Sequence, residues 1–313
     1  MTAVLVTGAT TPLGRAFVEA LADDARVREV VAVGVETGPA VFGARAGRVR
    51  YVQADLTRPR QMRRMLFGPA KDVHVDVLVH MAFHRATDTG ARVHAQNVEA
   101  TRNLLLLCEE HPTVRRFVLR SHSEVYALRP RQPTIVGENH PLELDRQAPQ
   151  WVLDRVEADM TVGMRMGMSG LGIAVLRIAE CLEPASGSQL LDYLQSRVCL
   201  RPLGYDPVLN LISKPDFVRA LSAAVFSDAW GVFNIPGKDT LPLSDVIRKW
   251  RRIGIPLPSP LLHPLYQLRR AATALDFRYD LNNRRFHFGG VLDGRRARDV
   301  LGYTPKCPIP WPH

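Results

Sequence analysis

The residues of this 313-residue chain whose types and spacing most directly suggest chemistry are Gly8, Thr10, Thr11, Pro12, Leu13 and Gly14. They follow the apolar run Val4-Leu5-Val6, and Leu13, Phe17, Ala20 and Leu21 then recur at the spacing of one helical face. A strand, a tight turn and a helix start are expected. Unpaired N–H groups at a helix N-terminus, with the positive end of the helix dipole, make a site for an anion such as a pyrophosphate. Gly8 and Gly14 would permit the sharp turn and the close approach of phosphate to backbone. Thr11 followed by Pro12 is also a good N-cap and N1 pair, so helix capping accounts for the same residues. His80, His84 and His94 are metal-ligand types, but no cysteine or tight carboxylate set accompanies them, and no metal is expected.

The elements that must position such a turn are legible as short apolar runs alternating with helical patterns. Val30 to Val33 reads as a second strand ending in Gly34-Val35-Glu36, and Val49 to Gln53 as a third, closed by Ala54-Asp55-Leu56. Asp55 would cap the helix bearing Met62, Met65 and Leu66, and Asp216 would cap the helix that begins near Pro215. Further strands are expected from Val75 to the His80-Met81-Ala82 end, from Arg116 to Ser121, and from Gly172 to Arg177. This alternation predicts an α/β fold with a doubly wound, mostly parallel sheet. From about residue 183 the pattern turns Pro- and Gly-rich, which divides the chain into 1–182, a dinucleotide-binding domain, and 183–313, a substrate-side region interleaved with late strands and helices of the same fold.

Composition sets outer bounds. With 46% hydrophobic and 23% charged residues the chain is of ordinary globular type, and its formal charge of +10 favours an anionic partner. The basic residues are dispersed, without an aromatic-interleaved run, so nucleic acid is not the expected partner. No run of 18 apolar residues appears, so no integral membrane span is expected. Cys108, Cys181, Cys199 and Cys307 are scattered, which fits a reducing compartment and a cytoplasmic location. The proline-rich stretch from Ile255 to Arg270 reads as a linker into a lid or core helix in preference to an amphipathic surface for anionic lipid.

The glycine turn resembles the T-G-x-x-G-x-x-G loop of the extended short-chain dehydrogenases/reductases, the NAD-dependent epimerase/dehydratase family, with Thr11 in the middle glycine place. Asp55-Leu56, the His80-Met81-Ala82 strand end, the Asn97-Val98-Glu99-Ala100-Thr101 helix and Ser121-His122-Ser123-Glu124-Val125-Tyr126 are similar to the family's successive motifs. The resemblance implies a Rossmann-type fold, NAD or NADP as cofactor, and a small-molecule substrate or metabolite, nucleotide-linked in the family. It implies cofactor contacts along the Gly8–Gly14 turn, at Glu36, Asp55, Leu56, His80, Met81, Ala82, Asn97, Ser121 and Arg155. Gly34 stands where the family's ribose-binding acid is expected. Glu36 would serve if the loop curls back, and it would repel a 2′-phosphate that Arg15 would attract; the balance leans to NAD. The helix through Leu104 to Leu107 is apolar on more than one face, which fits either internal burial or a homodimer.

The same resemblance exposes departures. The family's catalytic Ser or Thr place holds His122, the tyrosine place Trp151 and the lysine place Arg155. Tryptophan cannot exchange the proton that tyrosine does, and arginine stays charged. No tyrosine in the chain is followed by lysine four residues on. Loss of a positioned acid/base costs about 10²–10⁴ in rate. Three functions are therefore expected in competition. The first is an NAD(P)-linked enzyme with His122, Tyr126 or Arg155 in altered roles. The second is a catalytically silent dinucleotide or metabolite binder acting as sensor or scaffold. The third is a basic surface that meets membrane or nucleic acid.

Overall fold

The computed structural model describes every residue except 38–41, 43–46, 85–88, 185, 274–275 and 313. Near-continuous Val, Leu and Ile runs, the pattern of strands buried on both faces, form the centre of a sheet. In chain order its first strands are β1 (Thr2–Thr7), β2 (Val27–Gly34) and β3 (Val49–Gln53), with α1 (Pro12–Asp23) between the first two and α2 (Pro59–Met65) after the third. Then follow β4 (Val77–His80), α3 (Ala91–His94), α4 (Ala100–Glu109) and β5 (Arg116–His122). A π-helical turn, Ala95–Glu99, joins α3 to α4 and carries Asn97. After the short β6 (Ile135–Val136) come α5 (Gln150–Gly163) and β7 (Gly172–Ile178).

The later chain contributes β8 (Glu180–Cys181), α6 (Gln189–Leu194), β9 (Val198–Pro202), β10 (Val208–Ile212), α7 (Lys214–Val225), β11 (Gly231–Ile235) and β12 (Asp239–Pro242). It ends with α8 (Leu243–Lys249), β13 (Ile253–Leu257), α9 (Ser259–Ala272), α10 (Tyr279–His287), β14 (Val291–Leu292) and α11 (Arg295–Leu301). The main sheet has the order β11-β7-β5-β4-β1-β2-β3, and all of its pairings are parallel. The order reverses between β1 and β4, so a crevice opens at their carboxyl ends, the usual ligand position in such sheets. The fold is thus doubly wound α/β of Rossmann type. The late strand β11 completes one sheet edge, while β8, β10 and β12 form a separate small sheet. A second core, built on Tyr193, Tyr266, Phe277 and Phe286, holds this later region together.

Register positions the site. Pairing of β5 with β7 sets Ser121 beside Arg177 and His122 beside Ile178, and pairing of β1 with β4 sets Thr7 beside His80. Two expected caps fall elsewhere. The cap of α2 is Arg58, while the Asp55 carboxylate turns onto its own loop and accepts from the Thr57 N–H at 3.0 Å and hydroxyl at 2.6 Å. Ser213, not Asp216, caps α7; the fully buried Asp216 carboxylate instead accepts from the N–H groups of Lys306 and Cys307, tying the carboxyl end to α7. In the Ile255–Arg270 stretch α9 buries Leu262 and Tyr266 and leaves Leu261, Leu265 and Leu268 exposed. No helix among the described residues is long and apolar enough to cross a membrane.

Candidate functional site

The turn after β1 keeps the shape of a phosphate loop. Gly8 has φ +70°, and a Cβ there would lie 3.1 Å from the Ala82 backbone; a Cβ on Gly14 would lie 2.1 Å from the Gly8 carbonyl oxygen. Both positions therefore need glycine. Thr11 caps α1: its hydroxyl donates to the Gly8 carbonyl at 2.8 Å and accepts from the Gly14 N–H at 3.1 Å. The cost is to the anion site. Pro12 has no N–H, and those of Thr11, Gly14 and Arg15 are bonded within the turn, leaving Thr10 and Leu13 unbonded among the described residues.

The end of β2 compensates. A Cβ on Gly34 would lie 2.6 Å from Thr10 Cγ2, 2.8 Å from Glu36 Oε2 and 2.9 Å from the Tyr51 hydroxyl. The loop has curled back, the Glu36 carboxylate covers Gly34, and the Tyr51 hydroxyl secures the Glu36 carbonyl at 2.6 Å. No side chain fits at residue 34, so an acid two residues later stands beside the space that an acid at 34 would occupy. In the outline of the adenosine end the residues fit a dinucleotide.

Other expected cofactor contacts are committed to the protein. His80 is fully buried, its ring nitrogens 2.7 Å from the Thr7 hydroxyl and 2.9 Å from the Thr101 hydroxyl, and burial holds it neutral with a pKa of about 3. Its side chain braces β1, β4 and α4, and Met81 is buried in the core, so of the three residues at this strand end only Ala82, whose backbone adjoins Gly8, is left beside the glycine turn. Asn97 accepts from the His84 N–H at 3.0 Å and approaches Asp154 at 3.4 Å, so it shapes the loop after β4. The Ser121 hydroxyl donates to Asp159 at 2.5 Å, and Asp159 in turn receives two bonds from Arg177. Leu56 is buried in the core beneath the β3 end.

Where proton chemistry is expected, the side chains form a buried ionic cluster. Trp151 is 2% exposed, with the Arg155 guanidinium 4.7 Å and the Arg285 guanidinium 5.9 Å from its ring centre. Its indole N–H has no hydrogen-bond partner among the described residues. Arg155 lies 3.3 Å from Glu124, and Arg285 pairs with Glu180 and approaches Glu124 at 3.8 Å. Burial alone would raise the Glu124 pKa, but Arg155 and Arg285 outweigh it and hold the carboxyl below its ordinary range. Burial lowers Arg155, which as a guanidinium remains a cation at neutral pH.

His122 and Tyr126 are equally constrained. Arg120 donates to His122 Nε2 at 2.6 Å, and Glu124 lies 3.6 Å from Nδ1. Burial, with Arg120, Arg155 and Arg285 nearby, keeps this imidazole well below its ordinary pKa. It is neutral, and its lone pair is spent. The Tyr126 hydroxyl donates to Asn234 at 2.6 Å and accepts from Arg177 at 3.1 Å; burial pushes its pKa up to about 12. None of these four groups is poised to exchange a proton near neutral pH.

A cavity of about 260 Å³ adjoins the cluster, between α5 and the later elements β10, α10 and β14. Glu124, Trp151, Glu180 and Arg285 form its charged end. Glu124 stands inside a stretch that sequence reading singles out, but its role is set by cations 31 and 161 positions away at Arg155 and Arg285, which no spacing reveals.

Comparison with known proteins identifies the framework. The NAD dependent epimerase/dehydratase family model matches residues 4–151. Uncharacterised proteins of Mycobacterium tuberculosis and Mycobacterium bovis are 31% identical over 311 residues, covering 97% of this chain and 80% of theirs. The chain belongs to the NAD dependent epimerase/dehydratase family. A 3-diazoavenalumate denitrifying reductase of Streptomyces is 25% identical over 333 residues, covering 97% of this chain and 96% of that one. Two solved structures share the fold. A UDP-glucuronic acid 4-epimerase from Bacillus cereus in complex with UDP-glucuronic acid and NAD has a TM-score of 0.70 at 18% identity, covering 98% of this chain and 95% of its own. A dTDP-glucose 4,6-dehydratase from Streptomyces venezuelae with NAD and TYD bound has a TM-score of 0.73 at 19% identity, covering 98% and 93%. At Trp151 and Arg155, the positions that the sequence reading sets against the family's tyrosine and lysine, the arginine is bound to Glu124.

Proposed function

We propose that this chain binds a nicotinamide dinucleotide in the β1–β4 crevice and acts on a small molecule in the adjoining cavity without the family's Tyr–Lys proton relay. One observation supports the reading: Arg155 is paired with Glu124 and lies over the Trp151 ring, while the Gly8–Gly14 turn and the Glu36 carboxylate keep the outline of the cofactor site. Thr10, Leu13 and Gly8 would face the pyrophosphate, and Glu36 the adenine ribose, which favours NAD over NADP. When bound, the dinucleotide supplies or accepts a hydride. Arg155 holds fixed positive charge beside that chemistry, and Trp151 excludes water from it. Neither moves a proton. The name of the Streptomyces relative, a reductase, supports net reduction over epimerisation.

Thermal-shift titration with NAD, NADH, NADP and NADPH tests the cofactor site, because a ligand that binds only the native state raises the melting temperature. At least one is expected to raise it, NAD or NADH most. A second variant tests the relay: Trp151→Tyr with Arg155→Lys is expected to give no NAD-linked turnover of UDP-glucose, and a gain would instead reveal a decayed epimerase pocket. One further reading, a cofactor-free metabolite sensor or scaffold, is favoured by the closure of the turn by Thr11. Absence of any shift with all four dinucleotides at millimolar concentration would select it.

A further inference from the structure

The family likeness directs attention to nucleotide sugars, yet the cavity beside Trp151 has the wrong chemistry for a diphosphate. Its acidic lining residues, Glu124, Glu143, Glu180 and Asp280, outnumber its two arginines, and no lysine lines it. Both arginines are already engaged: Arg284 with Glu143 at 2.8 Å and Asp145 at 2.5 Å, Arg285 with Glu180 and Glu124. A diphosphate would have to displace these carboxylates and then lie against them, and like charges brought together out of water repel strongly.

Apart from Ser123, Gln147, Asn210 and Asn283, the rest of the wall is largely apolar. Leu128, Val136, Val152, Leu209, Leu281 and Phe288 surround the space, with the Trp151 ring at its charged end. A cavity of about 150 Å³ suffices for benzene, and drug-sized ligands occupy about 300–1,000 Å³. The volume of about 260 Å³ therefore suits one ring with a short substituent.

We propose that this cavity takes a compact, uncharged ligand bearing one ring, for which aryl ketones serve as probes, and not a nucleoside diphosphate sugar. The proposal rests on the reading above only in taking the cavity as the substrate site. The test is a thermal-shift and calorimetric titration of the full chain with acetophenone and 4-hydroxyacetophenone in one arm, UDP and UDP-glucose in a second, and the dinucleotides in a third. The aryl ketones are expected to raise the melting temperature and the uridine nucleotides to leave it unchanged. Filling the cavity with Leu281→Trp, or in a second variant Leu209→Phe, is expected to weaken aryl binding at least tenfold; circular dichroism identifies the variant that has kept its fold. Protection by UDP-glucose without protection by either ketone would overturn the proposal, as would no shift with any of these compounds or ketone binding unchanged in a folded variant. A dinucleotide shift without a ketone shift would overturn it and leave the cofactor reading standing. A ketone shift without a dinucleotide shift would do the reverse.

Discussion

Arg155, which the sequence reading sets against the family's lysine, is held by Glu124. A buried guanidinium must be paired, and Glu124 receives both Arg155 at 3.3 Å and Arg285 at 3.8 Å. Removing one partner of a buried pair costs about 3–5 kcal/mol because the other charge is left uncompensated. Glu124→Gln should therefore lower stability by an amount of that order in urea denaturation at pH 7. The pH dependence has a definite sign. The folded-state pKa of Glu124 is depressed, so its contribution is present above the ordinary glutamate value near 4.5 and is lost as pH falls through the folded value. The gap between wild type and variant should narrow in acid. Thr11 makes the opposite kind of prediction. Thr11→Gly should cost only a few tenths of a kcal/mol as an N-cap change, while releasing the Gly14 N–H for an anion. Fluorescence titration with NADH should show tighter binding. At this scale the sequence exposes the departures at Thr11, Trp151 and Arg155, because each breaks a contiguous motif. It does not expose what pairs with them.

Elements decide which of those residues meet. Helix α5 carries Trp151, Arg155 and Asp159 at successive turns of one face, and the β5–β7 register brings Ser121 and Arg177 to Asp159. The cavity wall depends on a different junction. A Cβ on Gly237 would lie 1.8 Å from the Leu211 carbonyl, and Asn210 clamps the Gly237 backbone with bonds of 3.1 and 3.0 Å. Gly237→Ala should push β10 outward and cost near the upper end of the roughly 1–3 kcal/mol typical of overpacking. Chemical denaturation measures the loss, and an aryl-ketone titration reads the displaced wall. The strands of the main sheet were legible because each is a compact apolar run. The helix caps at Asp55 and Asp216 were not, since a short acidic side chain serves a cap, a loop or a distant backbone equally well, and the choice depends on what packs nearby.

At the scale of the whole molecule, an exposed apolar face lies on α4 and α5. Leu106 on α4, Met160 near the end of α5, and Met164 and Met168 just after it are exposed, and an Arg102–Glu157 pair bridges the two helices. The homodimer reading of the apolar α4 helix makes a prediction for this face. Light scattering should give a dimer, and Leu106→Asp with Met160→Asp should give a monomer without loss of the fold; a monomeric wild type would refute it. The sequence by itself determined the doubly wound sheet, the glycine turn and the absence of a tyrosine–lysine pair, because these follow from local periodicity and contiguous motifs. Only the tertiary structure decided that His80 faces the core, that the Glu36 carboxylate covers Gly34, and that Arg284 and Arg285 are already spoken for. Charge balance in a buried cavity is a property of side chains up to 161 positions apart, as Glu124 and Arg285 are. Chain spacing carries no record of which charges burial will bring together.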